Sequence, residues 1–384
     1  MDLEYSTEQS LLRDSVERML SERRATGHPT AWAAFAGLGL VALPFAERLG
    51  GLAGGAVGAQ IVMEACGRHL VEVPYVACAI RPAAIFDLCP DTPDLREIAA
   101  GIAEGRRIAC LAHEEERARY RLAHVETHAV RGASGFVLNG RKTGVAMAAE
   151  GGELIVSARL AGQADDRAGI GLFLFPVGHP GVRVRAYPTF DGAMAAIVEL
   201  VDAVLPQDAL LLADAPALAA LDHAEAASLS AVCAEAVGLM EAMLEETVDY
   251  LKTRQQFGGP IGRFQALQHR AAEMYVALEQ ARSMALFAAV SVDLPEPGER
   301  WRALAAAKVQ INASVRFVGQ QAVQLHGGIG VADECLVGRR FKRATMIERE
   351  CGDTFHHLAI LDRLGGLEGR LSQKSPAQAA SRAA

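Results

Sequence analysis

Between residues 213 and 368 the chain keeps helical periodicity for some 150 residues, with three clear breaks: FGGPIG, DLPEPGER and LHGGIG. Apolar positions recurring at helical spacing over that length are buried only when the helices pack on one another. The pattern therefore predicts long antiparallel helices joined by short turns, a helical bundle.

The chain ahead of the bundle has two different textures. Residues 1–108 read as helical. Ser6-Thr7-Glu8-Gln9 has the composition of a helix start, and Leu11, Leu12, Val16, Met19 and Leu20 follow at helical spacing. A glycine-rich loop, PFAERLGGLAGGAVG, precedes a second helical run, AQIVMEACGRHL. Residues 109–212 break into short apolar runs separated by Gly, Asn, Asp and Pro: FVLNGRKTGVAM, GELIVSARL, GIGLFLFPV and AAIVELVDAVL. These predict strands joined by tight turns, with LNGRK as a hairpin turn. Residues 369–384 are small and polar and predict a disordered tail. The expected class is α+β: helices, a β domain, then a bundle. Strands and helices do not alternate, so a dinucleotide-binding βαβ fold is disfavoured despite the glycines of GGIGVA.

Several function classes drop out on composition. The formal net charge is −8, which argues against a nucleic-acid partner. The N-terminus lacks the basic and apolar regions of a signal peptide, and no run of about 20 uninterrupted apolar residues predicts a membrane span. The seven cysteines form no Cys-x-x-Cys pair, which argues against zinc and disulfides and for a reducing cytoplasm. His356 and His357 point about 100° apart on a helix and do not share an ion, so no metal site is expected.

Two stretches have the residue types for ligand chemistry. In TRQQFGGPIGRFQ, Arg254 offers a planar fork for phosphate, Phe257 a ring for stacking, and Gln265 both donor and acceptor. The plain alternative is a helix–turn–helix with a surface arginine. In QLHGGIG, Gly327 and Gly328 permit close backbone approach to a ligand, or simply end a helix.

Taken in order and at their separation, RQQFGGPIGRFQ and QLHGGIG resemble the acyl-CoA dehydrogenase family. STEQSLLRDSVERML, GLGLVALPFAERLGGLAGG and LNGRK are similar to its opening and central domain, so the resemblance covers about residues 1–365. AHEEERARY and YPTFDGAMAA look most like the branch of the pimeloyl-CoA dehydrogenase small subunit. The resemblance implies an N-terminal helical domain, a central β-barrel-like domain and a C-terminal four-helix bundle, with FAD between them reaching a neighbouring subunit. Arg254, Phe257 and Gln265 match the run that holds the FAD diphosphate and adenosine across a dimer interface. Gln324, Gly327 and Gly328 match the second FAD contact. It further implies an acyl-CoA substrate, an electron-transfer flavoprotein or similar acceptor, and a homo- or hetero-oligomer.

The family reaction removes an α-proton and a β-hydride from an acyl-CoA. It needs a desolvated carboxylate, donors for the thioester oxygen and a flavin facing the β-carbon. Both family positions for the carboxylate lack one here. Cys351 stands where many members carry Glu, and Ser228 stands at the alternative site on a bundle helix. His113 and the Gly144–Ala146 stretch also depart from the family's flavin-side loops. The expectation is a base-poor subunit of a heteromeric acyl-CoA dehydrogenase. The alternatives are a self-sufficient enzyme whose base is displaced to Glu350, Asp353 or Glu225, or a non-catalytic acyl-CoA-binding scaffold. The backbone N–H of residue 351, which in the family holds the thioester oxygen, is retained in any of these.

Overall fold

The computed structural model describes residues 5–26, 32–132, 135–332 and 334–365; the expected tail at 369–384 lies outside them. Five short-to-medium helices come first: α1 (Thr7–Thr26), α2 (Trp32–Gly37), α3 (Gly55–His69), α4 (Arg81–Phe86) and α5 (Pro93–Ala103). The start of α1 is a reciprocal cap. The Ser6 N–H donates to Gln9 Oε1 at 2.9 Å and the Gln9 N–H donates to Ser6 Oγ at 3.2 Å. A π-helical turn, Val76–Ile80, runs directly into α4.

Eight strands follow and form one mixed sheet: β1 (Ala109–Ala112), β2 (His128–Arg131), β3 (Gly135–Ala146), β4 (Glu153–Arg159), β5 (Ile170–Pro176), β6 (Val182–Pro188), β7 (Met194–Pro206) and β8 (Leu210–Ala213). Their order is β6-β7-β3-β2-β4-β5-β8, with β1 parallel to β4. Among the described residues no ladder joins β6 to β8, so the sheet is open rather than a closed barrel. LNGRK is not a turn. It lies inside β3, which pairs with β7 across a register shift between Leu138 and Gly140. The Asn-Gly signature is absorbed by this bulge: Asn139 Oδ1 accepts the N–H of Asp202, whose φ of 46° bends the opposing strand.

The chain then builds α6 (Asp214–Thr253), a two-residue hairpin β9 (Gln255–Gln256) and β10 (Gly259–Pro260), α7 (Gln265–Ser291), α8 (Pro297–His326), α9 (Leu336–Ile347) and α10 (Thr354–Arg363). At 40 residues, α6 is about 60 Å long and packs on α3, α4, α7, α8 and α9. It is long and apolar enough to cross a membrane, but 89% of its most apolar window is buried within the protein. Its apolar surface is therefore used by the core. The crossing with α3 is close because both helices present glycine. A Cβ on Gly67 would stand 2.0 Å from Glu235 O, and one on Gly238 would stand 1.8 Å from Glu64 O. Three apolar clusters result, one under α1–α5 and the first half of α6, one inside the bundle and one on the sheet. A cleft lies between the sheet and helices α4 and α6.

Candidate functional site

The cleft is walled by the sheet on one side and by α4 and α6 on the other. Its lining comprises Leu111, His113, Glu114, Leu122, Thr143 and Gly144 opposite Arg81, Leu221 and Glu225. The sheet wall is fixed by a buried polar network. Lys142 Nζ donates to Glu115 Oε1 at 2.6 Å, to Ser157 Oγ at 2.9 Å and to the His113 carbonyl at 3.3 Å. Burial pulls Lys142 down to about 8 although Glu115 opposes it. Burial, with Lys142 beside it, pushes His113 down to about 3, so its imidazole is neutral. The floor is open at Gly144, where an added Cβ would meet no atom within 4 Å.

Glu225 stands on the opposite wall, beside the Cys351 thiol and one helical turn before Ser228, the two positions where a carboxylate is missing. Glu225 and Ser228 are three residues apart on α6, so both face the same way. Arg81 Nε donates to Ser228 Oγ at 3.1 Å, and Arg81 Nη2 lies 3.8 Å from Glu225 Oε2. Glu225 keeps 23% of its side-chain surface, so a ligand in the cleft can reach it. Burial raises its pKa; Arg81 opposes the rise and Glu114 adds to it. Burial, with Glu225 adjacent, holds the Cys351 thiol well above its ordinary range, so it is a neutral S–H rather than a thiolate nucleophile.

The other two proposed carboxylates have different work. Glu350 pairs through both oxygens with Arg343, at 2.6 and 3.2 Å, and Arg343 also holds Glu235 and Asp191. Burial would raise Glu350, but Arg343 outweighs it and keeps the group below its ordinary value. Asp353 caps α10, accepting the His356 N–H at 2.9 Å. Glu350 and Asp353 are thus each engaged in a contact within the chain. Cys351 itself sits at φ 54° and is followed by Gly352 at φ 98°. Lys308 and Asn312 tie down this segment by donating to the carbonyls of Ile347 and Glu348, and His357 bonds the Cys351 carbonyl at 2.8 Å, not the thiol. His356 and His357 are edge to face, with His357 turned to that carbonyl.

The residues matched to FAD lie at the far end of the bundle. Arg254 is the C-cap of α6, Gln265 opens α7, and Gly327 caps α8 at φ 64°. Stacking of Tyr250 on His326, with centroids 4.5 Å apart, brings the C-terminal ends of α6 and α8 together. Arg254, Phe257, Gln265, Gln324, Gly327 and Gly328 are all exposed, and Phe257 has 79% of its surface free. Cβ atoms on Gly327 or Gly328 would meet nothing within 4 Å. An arginine fork, two amides and an open glycine backbone suit a diphosphate, so the residues present fit FAD. The turn is held instead by Arg263, which donates to the carbonyls of Phe257 and Gly258. Arg81, in the cleft wall, and Arg263, at this turn, are residues that sequence reasoning missed. Arg81 lies 147 positions from Ser228, with no local signal of the contact.

With this geometry in place, comparison with known proteins is specific. The acyl-CoA dehydrogenase middle-domain model matches residues 110–201 and the C-terminal-domain model matches 229–363, together more than half of the chain. A probable acyl-CoA dehydrogenase of Bacillus subtilis, YngJ, is 27% identical over 316 residues, covering 81% of this chain and 83% of the relative. Acyl-CoA dehydrogenase IpdE2 of Mycobacterium tuberculosis is 29% identical over 308 residues, covering 80% and 77%. A solved variant of the Tcur3481-Tcur3483 steroid ACAD superposes with a TM-score of 0.80 at 28% identity, covering 95% of this chain and 98% of that one. The chain belongs to the acyl-CoA dehydrogenase family of FAD-dependent oxidoreductases.

Proposed function

We propose that the chain catalyses α,β-dehydrogenation of an acyl-CoA thioester to a trans-2-enoyl-CoA, with Glu225 as the base that takes the α-proton. One observation carries this reading: Glu225 lines the cleft beside the Cys351 thiol and one helical turn from Ser228, the two positions at which the resemblance places the family's carboxylate. Its raised pKa suits a general base, since a desolvated carboxylate is more basic than one in water. As the resemblance implies, the N–H of Cys351 would donate to the thioester oxygen as it gains charge. FAD, when bound, supplies the acceptor for the β-hydride. Arg254, Phe257, Gln265, Gln324, Gly327 and Gly328 would hold its diphosphate and adenosine, in part across a subunit interface that their exposure leaves open.

A second reading keeps the chain as one subunit of a heteromer whose paralogue supplies the base. The Cys at position 351 favours it, as does the likeness to the Tcur3481-Tcur3483 steroid ACAD. On either reading the organisation is 1–108 helical, 109–212 β and 213–368 bundle, the electrons pass to an electron-transfer flavoprotein or similar acceptor, and the chain is oligomeric. The seven free cysteines support a reducing compartment, which we read as cytoplasm. The non-catalytic scaffold is disfavoured because it needs no FAD contacts.

The test is to purify the chain, record its visible spectrum and add saturated acyl-CoAs anaerobically, including a steroid-ring acyl-CoA suggested by the superposed relative. Bleaching of the flavin band supports the self-sufficient enzyme. A shift without bleaching supports the half-site subunit, and a colourless protein overturns both.

A further inference from the structure

Glu225 is not alone in the cleft wall. Arg81 is delivered to it by an unusual backbone: the π-helical turn Val76–Ile80 ends directly at Arg81, and Pro82 follows. Such a turn inserts an extra residue into the helix and re-aims the side chains after it. The Arg81 guanidinium is then anchored at one edge only. Its Nε donates to Ser228 Oγ at 3.1 Å, and that hydroxyl donates in turn to the Ala224 carbonyl at 2.6 Å. Nη2 stands 3.8 Å from Glu225 Oε2, close enough for a strong charge interaction but longer than a hydrogen bond. Resting on the base assignment above, we propose that Arg81 is a positioning residue for Glu225. Clamped through Ser228, it keeps the carboxylate charged and aimed into the cleft.

The surrounding charges make this a specific claim. Glu225 also faces Glu114 from the loop after β1, Lys308 from α8 and the Cys351 thiol; Arg81 faces Glu114, Glu350 and Cys351 as well. Glu350 is already paired with Arg343, and Lys308 donates to Asn312 and the Ile347 carbonyl. Arg81 is the cation that the structure brings within 3.8 Å of the Glu225 carboxylate. Burial and Glu114 both drive Glu225 towards its neutral acid, a form that cannot accept a proton. Arg81 is the largest opposing influence. The reuse of Ser228 is part of the same arrangement: where relatives place a base, this chain places the hydroxyl that holds the base's counter-ion.

The experiment is a pH profile of anaerobic flavin bleaching by acyl-CoA for the wild type, Arg81→Gln, Arg81→Lys and Ser228→Ala, with Glu225→Gln as control. Loss of the Arg81 charge should move the acid limb of Arg81→Gln upward by about one pH unit, roughly tenfold in rate on that limb. Arg81→Lys should stay near the wild type, and Ser228→Ala should shift by less. A second readout needs no turnover: the protonated-carboxyl infrared band missing from Glu225→Gln should titrate at higher pH in Arg81→Gln. Superimposable profiles and titrations for wild type and Arg81→Gln would overturn the proposal. Full activity in Glu225→Gln would overturn the base assignment itself, and the proposal with it.

Discussion

The two ends of the bundle differ in what they keep and how they keep it. At the end that the resemblance matches to the FAD diphosphate, Arg254, Gln265 and Gln324 are exposed, and the turn is held by Arg263. In the cleft the two carboxylate positions are replaced, and the replacements lie against other polar groups of the chain. Cys351 meets Glu225, Ser228 meets Arg81, and Glu350 shares Arg343 with Glu235 and Asp191. Residues that answer to a ligand can remain unchanged without partners in the protein. Buried polar residues must satisfy each other, so a change at one requires compensating neighbours.

Substitutions should separate the two ends. The largest stability effect is expected at Arg343→Met, which leaves Glu235, Glu350 and Asp191 without their common cation. The loss should be about 3–5 kcal/mol, read as a fall in the urea midpoint. An acid effect comes next. His113 and His357 are held down to about 3 by burial, so the unfolded chain binds protons that the native state refuses between about pH 6.5 and 3. Stability should therefore fall as pH falls through that window, by about 2 kcal/mol per histidine at pH 5. His113→Gln should flatten part of the slope in urea titrations at pH 7 and 5; an unchanged slope would contradict the assignment. At the diphosphate end, Arg254→Ala should leave stability within about 0.5 kcal/mol and weaken FAD binding by about 1.5–3 kcal/mol, measured by cofactor titration of the apoprotein. If Arg254→Ala instead unfolds the chain while Arg343→Met does not, the contrast between the two ends is wrong.

The sequence was most readable where local chemistry decides structure. The breaks FGGPIG, DLPEPGER and LHGGIG fall between helices because Gly and Pro end helices regardless of tertiary context, and Pro297 opens α8 as such a residue does. LNGRK was misread because Asn-Gly suits a bulge as well as a turn, and only pairing with β7 distinguishes them. Asp353 carried a readable sign of its role, an Asp just ahead of a helical run, which makes a cap more natural than a base. Glu350 carried none, because Arg343, Glu235 and Asp191 come from separate elements. Glu225 could be found from Ser228 by helical spacing, whereas its contact with Arg81 depends on the π-helical turn and on how α4 packs against α6.

The most direct test of the central claim compares Glu225→Gln with Cys351→Ala during anaerobic flavin bleaching by acyl-CoA, in the chain alone and in any heteromer it forms. If Glu225 takes the α-proton, Glu225→Gln should shift the flavin spectrum on binding but bleach slower by about 10²–10⁴-fold, while Cys351→Ala stays within about tenfold of the wild type. Wild-type bleaching rates in Glu225→Gln would contradict the account and return the search for the base to a partner subunit.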